Sequence, residues 1–431
     1  MSTIKTAVGL HAFGGSVALA AEGVGIKVLA LLDGRGGKRT RSNNIFARTC
    51  ERVFGAERVF VDGERRWDGP LASLREQKID ILFGQPQFSG SKGMHRTAKE
   101  SDVGFETGSL LGDDGDDFVR VAKELHPRAV VIFGTGMLYS RGQRHLDLLA
   151  SQLPEYTWKT MTTNAVLHGV AQDRKVTVVI GTLDFFFNPT IPYPKGIRTD
   201  EVPTSWAAIA DLFDLKYSFD GRDATIMALE GREIEGHIVP QKMKQRVRSS
   251  LASDLLWGSC SFLAEGQALS QVEDLSKWPE AVRKRIDEGS IVIEKDKRGH
   301  LLFRKGLMKS QLPVRLHRSL AAPTIGSVER YIHPAADRPL TLREVARLFG
   351  LPDDYCVGNY YLPGLRVLGS SVPVPVGEWV LSDLCKSMNE PVSASPDILL
   401  LFDQTAVPAV SGLKRELLGK WVDQYTRNRT G

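Results

Sequence analysis

A doubly wound α/β sheet carrying a second, smaller domain is the architecture this sequence predicts, on three observations. Residues 5–32 read as strand, glycine turn, helix and strand, the opening of a nucleotide-type fold. Two further apolar strands, within 77–83 and 129–133, each end at a glycine, and helical patterns separate them. The alternation then stops after Asn188, where Pro189, Pro192 and Pro194 mark a linker, and it resumes only near residue 311. At 431 residues the chain exceeds the roughly 250–300 at which a single core stops growing, so two lobes are expected. The expected organisation is an α/β domain over 1–190, a second domain over 191–311, a segment over 312–390 that returns to complete the first, and a C-terminal extension over 391–431.

Composition narrows the class. Apolar residues make up 42% and charged residues 25%, the balance of a soluble globular chain. No apolar run approaches the roughly 20 residues of a membrane span, and the start Met-Ser-Thr-Ile-Lys-Thr has no targeting pattern, so a cytoplasmic protein is expected. Cys50, Cys260, Cys356 and Cys385 are widely spaced and form no Cys-x-x-Cys pair, which argues against a disulfide framework or a zinc site of that kind. The net charge of +5 is mild, so any nucleic-acid surface must show in how the charges cluster.

Taken in order, residues 6–10 form the first strand, Gly14 and Gly15 the turn, Ser16 the cap of a helix reaching Glu22, and 26–32 a buried strand. A glycine turn feeding a helix lets backbone N–H groups approach an anionic cofactor, and Asp33 at the next strand end can accept ribose hydroxyls; plain turn chemistry explains the same glycines. A helix over 43–54 and a short strand over 58–61 follow. Residues 80–93 then leave an apolar strand end at Gly84 and pass through Pro86 into a glycine and serine loop, the edge where α/β enzymes place reactive groups. The acidic run Asp113, Asp114, Asp116, Asp117 precedes a helix over 118–125; carboxylates suit a helix N-terminus without any metal, and the dipole reading is preferred. A helix over 145–153 leads to an apolar strand near 176–180. In the second domain, Lys242, Lys244, Arg246 and Arg248 fall on alternate positions, which places all four on one face of an extended strand, a phosphate-tracking pattern or a solvated edge. Residues 313–355 read as a strand, an Asp-Arg-Pro turn and a short amphipathic helix closed by Gly350 and Pro352. A helix is expected over 377–388, with a further strand and helix in the tail.

In this order the segments resemble the DNA cytosine-C5 methyltransferases over roughly residues 7–384. The stretch Leu10-His11-Ala12-Phe13-Gly14-Gly15 is similar to the family's first motif, Phe-Ala-Gly-x-Gly-Gly. That likeness implies S-adenosylmethionine as cofactor and His11, Gly14, Gly15 and Asp33 as its contacts. His11 stands where the family has a phenylalanine lying against the adenine, and Phe13 stands at a glycine position. The loop over 80–93 is similar to the catalytic loop built on Gly-Pro-Pro-Cys-Gln, with Gln87 at the cysteine or the glutamine position and no cysteine present; Ser89 and Lys92 belong to the part that meets DNA. The strand over 129–133 ends in Gly134-Thr135-Gly136 where the family has Glu-Asn-Val. Gln172 and Arg174 match Gly-Val-Pro-Gln-x-Arg-x-Arg, whose second arginine falls on Val176. The fullest likeness covers 313–355, the segment that organises the family's recognition domain, and Arg315 within it is counted among the DNA contacts. Gly369-Ser370-Ser371-Val372-Pro373 is similar to the last motif, with Ser370 where a cofactor-binding asparagine is usual.

The resemblance implies a Rossmann-like methyltransferase sheet with a target-recognition-like domain and double-stranded DNA as partner. C5 methyl transfer begins with a thiolate adding to cytosine C6, and the sequence carries no cysteine in the matching loop. The expectation is a DNA-binding relative without ordinary C5 methylation, acting beside a partner protein or an active methyltransferase. The alternative is a base-modifying enzyme, still S-adenosylmethionine-dependent or otherwise, with a remodelled pocket drawing on His11, Gln87, His95, His168, Gln172 and Arg174. RNA as the bound nucleic acid stays open.

Overall fold

A computed structural model of the chain describes residues 4–34, 45–62, 66–86, 111–135, 143–185, 187, 203–219, 227–229, 232–234, 236–240, 251–295, 301–305, 312–326, 329–355, 358 and 360–389. The expectations for Gln87, Ser89, Lys92, His95, Lys242, Lys244, Arg246, Arg248, Cys356 and the tail beyond residue 389 lie outside the described residues. Contacts divide the chain into two compact units: 1–168 with 175–191 and 371–392, and 169–174 with 192–370 and 393–431. Residues 312–370, which the sequence reading attaches to the α/β domain, therefore fall in the second unit, and only 371–392 returns to the first.

The first unit alternates strand and helix: β1 (Thr6–Leu10), α1 (Ser16–Gly23), β2 (Lys27–Asp33), α2 (Ile45–Phe54), β3 (Val59–Val61), α3 (Asp68–Arg75), β4 (Ile81–Gly84), α4 (Asp113–Leu125), β5 (Ala129–Thr135), α5 (Gln143–Gln152), β6 (Thr157–Asn164) and β7 (Lys175–Thr182). The sheet order is β3-β2-β1-β4-β5-β7-β6, with β7 antiparallel to both neighbours and the other adjacent pairs parallel. The order steps outward from β1 in both directions, so the strand ends flanking β1 and β4 mark a topological switch point, where open α/β sheets gather functional groups. Strand residues such as Val8, Leu82, Val130 and Ile132 are fully buried and pack with Trp67, Leu71, Phe118 and Leu149 from the helices. Each such side chain contributes roughly 1.5–3 kcal/mol by leaving water.

Helix α4 and strand β6 are among the elements that depart from expectation. Helix α4 begins at Asp113, five residues before the apolar run, because Gly112 caps it and the acidic first turn suits its positive end. Strand β6, Thr-Trp-Lys-Thr-Met-Thr-Thr-Asn, was not foreseen; it lies at the sheet edge, mostly half-exposed, and so carries no apolar run to announce itself.

The helix Val374–Asn389 packs against α1. Small residues let the two approach: a Cβ on Gly377 would stand 2.8 Å from the Cβ of Ala20. The Ser16 hydroxyl accepts the Val372 N–H at 3.2 Å.

The second unit is built from short pieces. Gln172–Asp173 pairs with Ala322–Pro323 and Val314–Arg315 with Tyr331–Ile332, both parallel, and Val292–Lys295 pairs with Leu301–Lys305 as an antiparallel ribbon. Helices Leu251–Ser259 and Glu280–Asp287 close a core around Leu255, Trp278, Val282, Leu312 and Ile332. Leu342–Arg347 and Tyr361–Ser370 are further helices of this unit; the latter tolerates Pro363 because a first-turn N–H has no intrahelical acceptor to lose. Among the described residues no helix is long and apolar enough to cross a membrane.

Candidate functional site

At the end of β1 the chain makes two left-handed turns at residues that are not glycine, His11 (φ 54°) and Phe13 (φ 42°). Such backbone costs of order 1–3 kcal/mol and persists where surrounding contacts hold it, commonly at functional sites. The contacts here are polar. The His11 ring is fully buried; its Nδ1 lies 3.4 Å from Asp33 Oδ1 and its Nε2 lies 3.1 Å from Asp117 Oδ2 and 3.9 Å from Asp114 Oδ1. Asp114 and Asp117 are three apart on α4, so one helix face presents both carboxylates to the ring. Their side chains, like that of Asp33, are buried. Trp67 meets the imidazole edge-on with ring centres 6.0 Å apart, and Phe118 lies 6.5 Å away. Arg120 bonds Asp117 at 3.3 Å and covers the Trp67 face at 5.3 Å.

Phe13 turns to α2, where its ring packs edge-on against Phe46 with centres 5.0 Å apart. Gly15 has φ 82°, and a Cβ there would run into the Phe54 ring and come within 3.3 Å of the Cys50 sulfur. Positive φ and this close approach both demand glycine. The glycine turn is thus packed against α2, and buried Cys50 serves that packing.

Gln172 and Arg174, expected in a base pocket, are instead turned to the backbone of the second unit. Gln172 donates to Leu348 O at 3.1 Å and accepts the Ile325 N–H at 3.2 Å. Arg174 donates to Ile325 O at 2.9 Å and Gly369 O at 3.0 Å, with its guanidinium over the Phe349 ring. Burial lowers its pKa to about 10. These groups join segments far apart in sequence.

The expectation that Arg315 contacts DNA does not hold: it is 6% exposed and bonded to Leu263 O, Cys260 O, His333 O, Ala336 O and the Asp337 carboxylate. A guanidinium so committed has no face for a phosphate. Ser370 closes the helix Tyr361–Ser370, half-buried. In the first unit, His168 bonds Thr163 Oγ1 at 2.7 Å and lies on Trp379, and burial lowers its pKa to about 4, which marks a neutral, packed ring.

The segment 337–355 is a second polar cluster. Arg338 makes a two-pronged pair with buried Glu344 at 2.9 and 2.6 Å, and Thr341 and Glu344 form a reciprocal capping box. Arg343 donates to Pro352 O and Tyr355 O, and Arg347 pairs with Asp353 at 2.8 and 2.6 Å. Burial raises the Glu344 carboxyl, but the Arg338 guanidinium outweighs it and holds the group below its usual range. The sequence reading missed the convergence of Asp114 and Asp117 on His11; the i, i+3 spacing was visible, the partner about a hundred residues away was not.

None of the described cysteines belongs to the loop that directly follows β4. Cys260 donates to Leu256 O within its helix, and burial raises the pKa of Cys385, the opposite of what a nucleophile needs.

A sequence profile of the C-5 cytosine-specific DNA methylases matches residues 113–386, more than half of the chain, and begins after the β4 loop. The type II methyltransferase M.XorII of Xanthomonas oryzae pv. oryzae is 23% identical over 356 residues, 78% of this chain and 75% of that protein. M.MJ0563P, a type II methyltransferase of Methanocaldococcus jannaschii, is 34% identical over 109 residues, 25% of this chain and 35% of that relative, so the chain matches only about a third of its length. Among solved structures, a protein described as a DNA modification methyltransferase encoded within an E. coli prophage superposes with a TM-score of 0.56 at 17% identity, covering 90% of this chain and 100% of that one, a likeness of fold.

Proposed function

Because the chain belongs to the C-5 cytosine-specific DNA methylase family, we propose that it is a double-stranded-DNA-binding member that does not carry out ordinary cytosine-C5 methyl transfer. The observation that carries this reading is the closure of the first motif on itself. S-adenosylmethionine, which the family implies, does not fit the described residues: the Asp33 carboxylate that would take ribose hydroxyls is buried against His11, and the His11 ring is held by carboxylates on both sides. Phe13 fills the turn where the family's glycine leaves room. The absence of a cysteine anywhere in 80–100 supports the same conclusion, since without a thiolate cytosine C5 is a poor nucleophile.

DNA binding is supported by what is kept. The clamp around Arg338, Glu344 and Arg347 preserves the family's recognition-organising segment, and the alternating Lys242, Lys244, Arg246 and Arg248 supply a phosphate-tracking stretch. Titration of the full chain with duplex DNA at several salt concentrations tests this part. Lys244→Ala with Arg246→Ala is expected to weaken binding at every sequence and flatten the salt dependence by about two counterions. An unchanged slope would sink the phosphate assignment.

The chemistry is tested by nucleoside mass spectrometry of DNA from a modification-free host expressing the protein. Unmodified DNA is expected. A new nucleoside that vanishes in Gln87→Ala would establish the alternative, a base-modifying enzyme, and its mass would identify the transferred group.

A further inference from the structure

We propose that His11, Asp114 and Asp117 form a binding site for one divalent first-row transition-metal ion, Zn2+ or Mn2+, with Asp33 orienting the histidine. Three donor atoms, the His11 Nε2 and one carboxylate oxygen each from Asp114 and Asp117, lie within 4.8 Å of one another, and all three residues are buried. The separations suit an ion: ligand atoms about 2.1 Å from a metal stand roughly 3.0–3.5 Å apart in octahedral or tetrahedral arrangements. Nε2 lies 3.1 Å from Asp117 Oδ2 and 3.9 Å from Asp114 Oδ1, so the Asp117 pair already has a ligand spacing and the Asp114 carboxylate would have to move in to complete it.

The histidine is set for this role. Asp33 at 3.4 Å can only accept, as can Asp117 at 3.1 Å; the tautomer that donates its Nδ1 hydrogen to Asp33 is the one that offers the Nε2 lone pair to an ion held by Asp117 and Asp114. A carboxylate behind the ring is also the usual outer partner of a metal-bound histidine, where it fixes the tautomer and raises the ligand's basicity. A separate observation lies beside the triad. The indole N–H of Trp67, whose ring neighbours His11, is buried and has no hydrogen-bond partner among the described residues, a donor available to a water or other oxygen completing a metal's coordination. One nitrogen and two carboxylate oxygens suit Zn2+ or Mn2+ better than Mg2+, which prefers an all-oxygen shell. The ion would tie the strained turn after β1 to α4, and the inference stands whether or not the chain modifies a base.

The test is metal titration of the full-length chain after EDTA treatment and dialysis, with Zn2+, Mn2+ and Mg2+ followed by calorimetry and metal content by mass spectrometry. One Zn2+ or Mn2+ per chain is expected, with Mg2+ bound at least tenfold more weakly. His11→Gln and Asp117→Asn are expected to lower the affinity by about a hundredfold or more, with circular dichroism establishing that each variant is folded. Anomalous scattering from crystals of the zinc-loaded wild type is expected to place the ion between Nε2 and the two carboxylates, a readout that needs no variant. Wild-type protein that takes up neither ion at millimolar concentration, retains full affinity in both variants, or shows its ion elsewhere would overturn the proposal.

Discussion

The two buried polar clusters of this protein are made from similar materials and composed differently. In the segment 337–355, each charge meets its complement: Arg338 with Glu344, Arg347 with Asp353, and Arg343 with backbone carbonyls. Around the turn after β1, one imidazole sits among Asp33, Asp114 and Asp117. The first arrangement is a structural knot, built on one helix and its flanking turns and joined by Asp211 and His237 from elsewhere in the same unit. The second gathers carboxylates from distant elements onto the strained turn at His11 and Phe13.

Breaking the knot should produce the largest effect. Glu344→Ala leaves the Arg338 charge buried without its partner and removes the capping box, so a loss of about 3–5 kcal/mol is expected in urea unfolding. A loss below about 1 kcal/mol would mean that water reaches Arg338. Acid should come next. Burial lowers the pKa of His333 to about 4, whereas the unfolded chain titrates near 6.5, so the unfolded state binds protons first as pH falls. Its stabilising contribution is complete above about pH 6.5 and disappears towards pH 4, on the order of 3 kcal/mol. His333→Gln should flatten the slope of stability against pH across that window.

Smaller changes sharpen the contrast from the other side. Gly15→Ala puts a Cβ at φ 82° against the Phe54 ring, and about 2 kcal/mol should be lost in thermal unfolding. Thr341→Ala removes a helix cap whose hydroxyl accepts the Glu344 N–H at 3.1 Å, costing about 1 kcal/mol. Asp114→Asn in metal-free protein should change stability by no more than about 1 kcal/mol in either direction, because two other carboxylates still face His11. A loss comparable to that of Glu344→Ala would show the two clusters to be alike after all.

Much of the fold was legible in the sequence. The apolar runs of β1, β2, β4 and β5 announce buried parallel strands, and Thr341 with Glu344 announces the capped helix. Strand β6 was hidden because an edge strand can be made of threonines. The candidate site was less legible. His11 and Asp33 could be singled out from their places at strand ends, but their bond to each other, and the arrival of Asp114 and Asp117, depend on a sheet that sets β1 beside β4 and α4 against both. Arg174 and Arg315 read as functional cations because charge is visible in sequence and burial is not; each proves to hold backbone carbonyls.

The helix Val374–Asn389 packs on α1, yet strands β2 to β7 and residues 192–370 of the second unit are made between the two. Roughly 190 residues separate the last sheet strand from that helix, and at ribosomal speeds of about 5–20 residues per second this amounts to some 10–40 seconds. Throughout that interval the face of α1 at Ala20 lacks its cover. Intervening segments of the second unit emerge in the meantime, so α1 gains this partner well after the sheet strands that flank it have been made.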